Sequence, residues 1–167
     1  MPFYRFQIDS PFATRAVLLR VRGLMRESPS FFQSIKESFE KRPQEGPPFV
    51  GNVNGTVFKM RRDIRYRNSF LPRVHGSVIS IPAGSRIFVR MHLHPLVVVF
   101  LLVWLGGVGV GALNAFISEN RSLQSVLAPA GMFLFGILLT LGGFFPEAFK
   151  ARRLLEQGIA PGADLQR

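Results

Sequence analysis

The chain contains no cysteine and few acidic residues. Without cysteine, disulfide bonds, thiolate catalysis and cysteine-ligated metal sites are excluded. Only ten Asp and Glu accompany 21 Lys and Arg among 167 residues, which gives a net charge of +11. The sequence contains no recognisable nucleophile with a neighbouring base, no glycine-rich phosphate loop and no paired acids. It therefore favours a protein without enzymatic activity and without a cofactor.

Charge is also absent from two long apolar stretches. No Asp, Glu, Lys or Arg occurs between Arg90 and Glu119 or between Arg121 and Glu147. Each stretch is long enough to cross a hydrocarbon core of about 30 Å as a helix. The lack of an ionisable group inside them argues against a transporter. The sequence predicts a transmembrane helical hairpin at residues 95–145, with helices at about 95–117 and 123–145.

Positive charge is concentrated before this hairpin. Residues 1–90 carry sixteen of the basic residues and six of the acidic ones, and the C-terminal tail adds Lys150, Arg152 and Arg153. Basic segments that flank membrane helices stay on the cytoplasmic side. Residues 12–26 also have the Arg-rich, amphipathic character of a mitochondrial presequence, although a helix of a basic domain explains them equally well. We therefore expect a two-pass protein with both termini in the cytoplasm.

Residues 1–94 are predicted to form a cytosolic α+β domain. A first strand is followed by two helices that start at Ser10-Pro11 and Ser28-Pro29, because serine can cap a helix and proline fits its first position. The apolar stripe of the first helix extends to Met25.

From Phe49 onward, apolar and polar residues alternate, as is typical of strands, and Asn54-Gly55 predicts a tight hairpin turn. The fold that we expect is an antiparallel sheet of about four to five strands with two or three helices, joined to the hairpin at Pro95. Residues 146–167 are predicted as a cytosolic C-terminal helix, beginning at Pro146, and a tail.

One predicted strand has two chemically different faces. Phe58 and Met60 lie on its apolar face, where Arg62 is an exception, and basic residues occupy the other face. The basic residues that could contact anionic lipid headgroups or a protein partner are Lys59, Arg61, Arg65, Arg67, Arg73, Arg86 and Arg90. The alternative is a solvated positive face that serves only membrane topology. Without a recognition motif, nucleic acid is not expected as a partner.

Small residues within the hairpin are candidates for helix packing. Gly107 and Gly111 form a G-x-x-x-G motif, Gly136 lies in the second helix, and Trp104 lies well inside the first. Small residues allow membrane helices to approach closely, so these positions could pack against other subunits or against copies of the chain. The same glycines could equally serve the packing of the hairpin against itself.

The three histidines suggest few metal or cofactor sites. Nothing in the spacing of His75, His92 and His94 requires the three to converge, so no metal site is predicted. His94, at the start of the first apolar run, remains a candidate ligand of a haem or pigment.

Three motifs stand out between residues 49 and 148. They are Gly51-x-Val53-x-Gly55-x-x-Phe58, Tyr66-Arg67-Asn68-Ser69-Phe70-x-Pro72 and Met91-x-Leu93-His94-Pro95. Together they resemble a group of small, uncharacterised bacterial membrane proteins with two helices. The resemblance implies a bacterial inner membrane, but no activity and no site residue. The order of elements is also similar to a shortened START-type helix-grip domain, a class that often binds apolar ligands.

These observations favour a non-catalytic accessory or structural subunit that packs on a larger membrane complex, or on its own copies, through the Gly-rich hairpin. The alternative is a membrane-tethered module that binds lipid or an apolar ligand, with Phe31, Phe32 and Phe39 of the second helix as a lid. The lipid bilayer is a partner in both hypotheses.

Overall fold

The protein was analysed as a computed structural model that describes residues 2–27, 46–64, 66–118 and 123–160. The predicted helix that follows Ser28-Pro29, with its three phenylalanines, and the candidate residue Arg65 lie outside the described residues. Within them the fold is α+β, as predicted, although the sheet has six strands rather than four or five. The elements are β1 (Phe3–Ser10), α1 (Thr14–Gly23), β2 (Met25–Glu27), β3 (Phe49–Asn54), β4 (Val57–Arg62), β5 (Arg73–Ile81), β6 (Gly84–His92), α2 (Pro95–Ile117) and α3 (Leu123–Ile159).

The strands form one mixed sheet in the order β1-β6-β5-β4-β3-β2. All neighbours are antiparallel except β2 and β3, which run parallel. The Asn54-Gly55 turn is confirmed, and Gly55 supplies the positive φ angle of +58° that this tight turn requires. β6 passes through Leu93 and His94 into α2, and we call this end of the sheet its helix end.

The predicted bounds of the first helix were wrong at both ends. Ser10 is the last residue of β1, and its hydroxyl donates to the carbonyl of Ile159 at 3.2 Å instead of capping a helix. The helix begins at Thr14, after an N-cap residue, Ala13, that makes no side-chain hydrogen bond. It ends before Met25, which pairs with β3. A buried methionine suits a helix stripe and a strand equally well, so periodicity alone did not separate the two.

The prediction that a new helix begins at Pro146 was also wrong, because α3 is continuous from Leu123 to Ile159. Proline inside a helix cannot donate to the carbonyl four residues earlier, which here is that of Gly142. The helix nevertheless continues through this position. Here Asn68 Nδ2 donates to the adjacent Gly143 carbonyl at 2.9 Å.

The hydrophobic core lies between one face of the sheet and two helices, α1 and the C-terminal half of α3. Val17 and Val21 of α1 are buried there. The buried residues of α3 follow a helical stripe: Phe144, Ala148, Ala151, Leu155 and Ile159. A single helix therefore both closes the sheet domain and continues into the apolar region, with no linker between them.

α2 and α3 are each long and apolar enough to cross a membrane. Their most apolar windows are only 6% and 11% buried, whereas a core helix of a soluble protein would be mostly buried. The two helices pack with opposite directions, since Gly109 lies against Phe133 and Trp104 lies against Gly136. We call α2 and the N-terminal half of α3 the helix pair.

Candidate functional site

The register of the strands gathers basic residues on the outer face of the sheet, opposite the core. Residues that are directly opposed on neighbouring strands point to the same face. The row at the helix end consists of Arg26, Val50, Arg61, Arg73, His92 and Phe3. The next row consists of Asn52, Lys59, His75, Arg90 and Arg5. We call the eight basic residues of these rows the cationic face.

All residues of these two rows are described, and none of them is acidic. Asp63, just beyond β4, lies 3.8 Å from Arg26 at the edge of the face. Like charges that are opposed across strands destabilise a sheet, so this arrangement costs folding free energy. Features that oppose stability in this way occur preferentially at functional sites. The cationic face is therefore our first candidate site.

Two histidines lie in the middle of the cationic face. The rings of His75 and His92 meet edge to face, with centroids 4.7 Å apart. Burial lowers the pKa of His75, and the nearby His92, Lys59 and Arg73 lower it further. His92 Nδ1 donates to the Leu93 carbonyl at 2.8 Å. An anion that bound here would favour the protonated form of His75 and so reverse this effect.

A recess of about 230 Å³ opens within the cationic face. Four of the residues that line it carry basic side chains: Lys59, Arg61, Arg73 and His75. The other lining residues are Val50, Gly51, Asn52 and Met60. The recess thus brings three permanent cations and one titratable group around a single small volume.

The far end of the same sheet face is different. The third row, Gln7, Phe88, Ser77 and Val57, is uncharged. Arg86 lies in the fourth row, where it donates two hydrogen bonds to Asp9, at 2.6 and 3.0 Å, and lowers the pKa of that carboxyl. At about 3.3 Å per residue, Arg86 is about 20 Å from His92 along β6. Of the predicted contact residues, Arg86 lies far from the helix end and Arg67 is exposed in the loop after β4. Those that lie on the cationic face are Lys59, Arg61, Arg73 and Arg90.

An apolar groove of about 610 Å³ lies between the start of β1 and the helix pair. It is lined by Pro2, Phe3, Leu101, Leu102, Leu105, Gly106, Phe133, Ile137, Thr140, Leu141 and Phe145. The hydroxyl of Thr140 already donates to the Gly136 carbonyl at 2.7 Å, which leaves the groove an apolar surface. Arg5 lies over the ring of Phe3 at 4.2 Å, so one basic residue of the cationic face borders the groove.

A buried ion pair joins the sheet to α3. Arg62 donates to Glu147 Oε2, Tyr66 donates to Oε1, and Lys150 Nζ lies 3.4 Å from the same oxygen. Glu147 is 3% exposed and Arg62 is 19% exposed. The hydrogen bond to Glu147 raises the pKa of Tyr66. Arg62 interrupts the apolar face of β4 because it pairs with Glu147, a partner that could not be identified from the sequence.

The loop after β4 adds two contacts to this connection. Asn68 donates to α3 through its amide and accepts a hydrogen bond from the Phe70 N–H at 2.9 Å. The Phe70 ring lies so close to Gly143 that an added Cβ would be 2.7 Å from Phe70 Cδ2. The Tyr66 to Phe70 motif thus has a structural role. We call Arg62, Tyr66, Asn68, Phe70, Gly143 and Glu147 the joint.

The predicted helix-packing residues fall into two groups. Trp104 packs on Gly136, where an added Cβ would be 2.3 Å from Trp104 Cζ3. An added Cβ at Gly107 or Gly111 would meet nothing within 4 Å among the described residues. The first two residues therefore hold the helix pair together, while the G-x-x-x-G motif lies open on its surface.

His94 is the N-cap residue of α2, where its Nδ1 accepts a hydrogen bond from the Leu96 N–H at 3.1 Å. Burial, followed by the charge of Arg73, lowers the pKa of His94. In the described part of the chain, no three His, Asp or Glu side chains cluster as metal ligands would.

Comparisons with protein-family models, with curated proteins and with solved structures found no match to this chain. Sequence reasoning overlooked Arg5 and Arg26 on the cationic face, and it considered His75 only as a metal ligand. Strand alternation indicated the faces of Arg5 and His75, whereas Arg26 was assigned to the first helix, and only the register shows that the three share one face of the sheet.

Proposed function

We propose that this chain is a non-catalytic, two-pass protein of a bacterial inner membrane that holds its sheet domain with the cationic face against anionic lipid headgroups. The observation that carries this proposal is the position of the basic residues on the outer face of the sheet. They are concentrated in the two rows nearest the helix end, which contain no acidic residue, whereas the third row is uncharged and Arg86 of the fourth row is paired with Asp9.

Distance along the chain supports contact with the bilayer. His92 is three residues from Pro95, which is about 10 Å at most for an extended chain. The second row is about 7 Å further away. The first distance is comparable to the Debye length of about 8 Å at physiological ionic strength, and the second row, at most about 17 Å from Pro95, lies within about two Debye lengths. A basic residue near an anionic surface contributes about 1 kcal/mol, and this value is an upper limit for the second row.

The test compares two variants of the full-length protein that each remove two positive charges. Arg73→Gln with Arg90→Gln changes the cationic face, whereas Arg15→Gln with Arg86→Gln changes exposed or far-end positions. The full chain is required because the C-terminal half of α3 belongs to the core of the sheet domain.

Each protein is reconstituted with neutral and anionic lipid, extracted gently, and the ratio of retained lipids is measured. Wild type and the control variant should enrich anionic lipid. The Arg73 and Arg90 variant should lose up to about 2 kcal/mol of this preference, or about 30-fold. Equal enrichment by all three proteins would contradict the proposal and leave the cations with a role in topology alone.

A second candidate function is that of an accessory subunit, and the open G-x-x-x-G surface favours it. A side chain at Gly107 or Gly111 would find open space among the described residues, so packing within the helix pair does not require glycine there. Small residues on an open helix surface permit close packing of another helix. Mass measurement of the native protein after gentle extraction tests this function. A Gly107→Ile and Gly111→Ile variant should lose a co-purifying subunit or second copy, and a wild type that is always a lone monomer would exclude it.

A further inference from the structure

The recess in the cationic face has the composition of an anion-binding site. Arg61 and Arg73 border it from the row at the helix end, while Lys59 and His75 border it from the second row. A volume of about 230 Å³ is smaller than the roughly 300–1,000 Å³ of pockets that enclose a whole small molecule. The recess therefore fits a compact charged group and leaves no room for an attached apolar chain.

The number of donors indicates the kind of anion. Two guanidinium groups, one ammonium and one imidazole surround the recess, and no carboxylate of the described residues lines it. A phosphomonoester carries about −1.5 to −2 charges at pH 7 and offers three strong acceptor oxygens. A phosphodiester carries one negative charge on two free oxygens and would leave donors of the recess unused. Arginine is suited to the phosphate because its planar group can donate two parallel hydrogen bonds.

The position of the recess indicates where the anion comes from. Arg73 lies directly opposite His92, and its charge acts on His94, the residue that caps α2. If the helix pair is inserted in a bilayer, this side of the recess lies at the level of the headgroups. A ligand whose apolar part stays in the bilayer would present its phosphate there.

We propose that the recess binds the phosphomonoester headgroup of a membrane lipid. This inference rests on the proposed function, because it requires the cationic face to meet the bilayer. The inference adds a defined binding site and a class of lipid to the proposed function. General attraction of the cationic face to an anionic surface would depend only on the charge of the lipid.

The experiment uses the full-length protein in neutral maltoside micelles and three ligands. Short-chain phosphatidate supplies a phosphomonoester, short-chain cardiolipin supplies a similar charge as two phosphodiesters, and inorganic phosphate supplies the anion without a chain. We expect phosphatidate to bind about tenfold more tightly than cardiolipin, since a hydrogen bond to a charged group is worth at least that factor. Inorganic phosphate should bind far more weakly than phosphatidate.

Two variants locate the site. Arg73→Gln should weaken phosphatidate binding about tenfold or more and remove most of the preference over cardiolipin. Arg86→Gln, a charge-matched control on the same sheet face, should leave both affinities unchanged. Thermal unfolding of each variant confirms that it is folded.

His75 provides a second measurement that does not depend on affinity. His75 lies opposite Lys59 and Arg90 on the neighbouring strands, its ring meets that of His92, and the charge of Arg73 also acts on it. Bound phosphatidate should shift the titration of His75, followed by NMR, to higher pH, because a dianion stabilises the imidazolium. Cardiolipin should shift it less.

The outcomes separate this inference from the proposed function. Equal binding of phosphatidate and cardiolipin, weakened equally by Arg73→Gln, would overturn the lipid class while the proposed function stands. Inorganic phosphate that binds as tightly as phosphatidate would overturn the assignment to a lipid. Failure of both lipids to bind would overturn the inference, while the lipid enrichment measured after reconstitution decides the proposed function separately.

Discussion

The buried pair of Arg62 and Glu147 gives the sharpest stability prediction, because the two residues come from the sheet and from α3. Replacing Arg62 with Met keeps a side chain of similar length but leaves the Glu147 carboxylate, which is 3% exposed, without its closest cation. Replacing both residues, Arg62→Met with Glu147→Leu, removes the charges together. The comparison separates the cost of an unpaired buried charge from the net value of the pair.

The structure sets the expected magnitudes. Removing one partner of a buried ion pair costs about 3–5 kcal/mol. We expect the lower end, about 3 kcal/mol, for Arg62→Met, because Lys150 and Tyr66 remain beside the carboxylate and Arg62 is 19% exposed. The double variant should lie within about 1 kcal/mol of wild type, since apolar replacement of a whole buried pair is often neutral. Tyr66 and Lys150 are exposed enough to turn towards water.

Unfolding of the full-length protein in micelles by denaturant measures both effects. Arg153→Met serves as the control, because Arg153 is an exposed arginine on the same helix and should change the free energy of unfolding by less than about 0.5 kcal/mol. A double variant that is as unstable as Arg62→Met, or less stable, would refute the reasoning. So would an Arg62→Met protein as stable as wild type, since Glu147 would then need no partner.

Three further predictions concern packing and pH. Gly143→Ala should destabilise the protein by about 1–3 kcal/mol in the same unfolding assay, because its Cβ would be 2.7 Å from the Phe70 ring. Gly136→Val should displace Trp104 and change its fluorescence, and an unchanged spectrum would count against the packing of the helix pair. The pKa of His75 is lowered from about 6.5, so its contribution to stability should be complete above pH 6.5 and be lost as the pH falls towards the folded-state pKa. His75→Gln should remove this part of the pH dependence of the thermal midpoint.

Much of the fold could be predicted because its signals are local. The alternation in β4 and β6, the Asn54-Gly55 turn and the charge-free runs each depend on residues that are adjacent in the chain. The strand β2 is only three residues long and follows directly after α1, so its pattern merges with the apolar stripe of that helix. Pro146 misled for a different reason, since α3 tolerates proline at two internal positions, Pro129 and Pro146, and continues to pack on the sheet domain beyond the second one.

The candidate site depended on register, which no local pattern supplies. Arg5 and Arg90 face each other because the first strand pairs with the last one, across more than eighty residues of chain. Arg62 was visible as an exception on an apolar face, but its partner Glu147 lies beyond both apolar runs. The position of Arg62 on an apolar face indicated that a buried acidic residue pairs with it, but it did not identify that residue.

The continuity of α3 determines how the two candidate functions relate. Its N-terminal half packs with α2, and its C-terminal half lies in the core of the sheet domain. Between these halves, the joint holds the sheet to α3 by an ion pair to Glu147 and by an amide hydrogen bond to the Gly143 carbonyl. The cationic face and the open surface at Gly107 and Gly111 are therefore connected by packed structure and not by a flexible linker. A headgroup bound in the recess and a helix bound at Gly107 and Gly111 would therefore be held at a fixed separation. A variant that loosens the joint should weaken the coupling between these two binding events, although it changes no residue of either site.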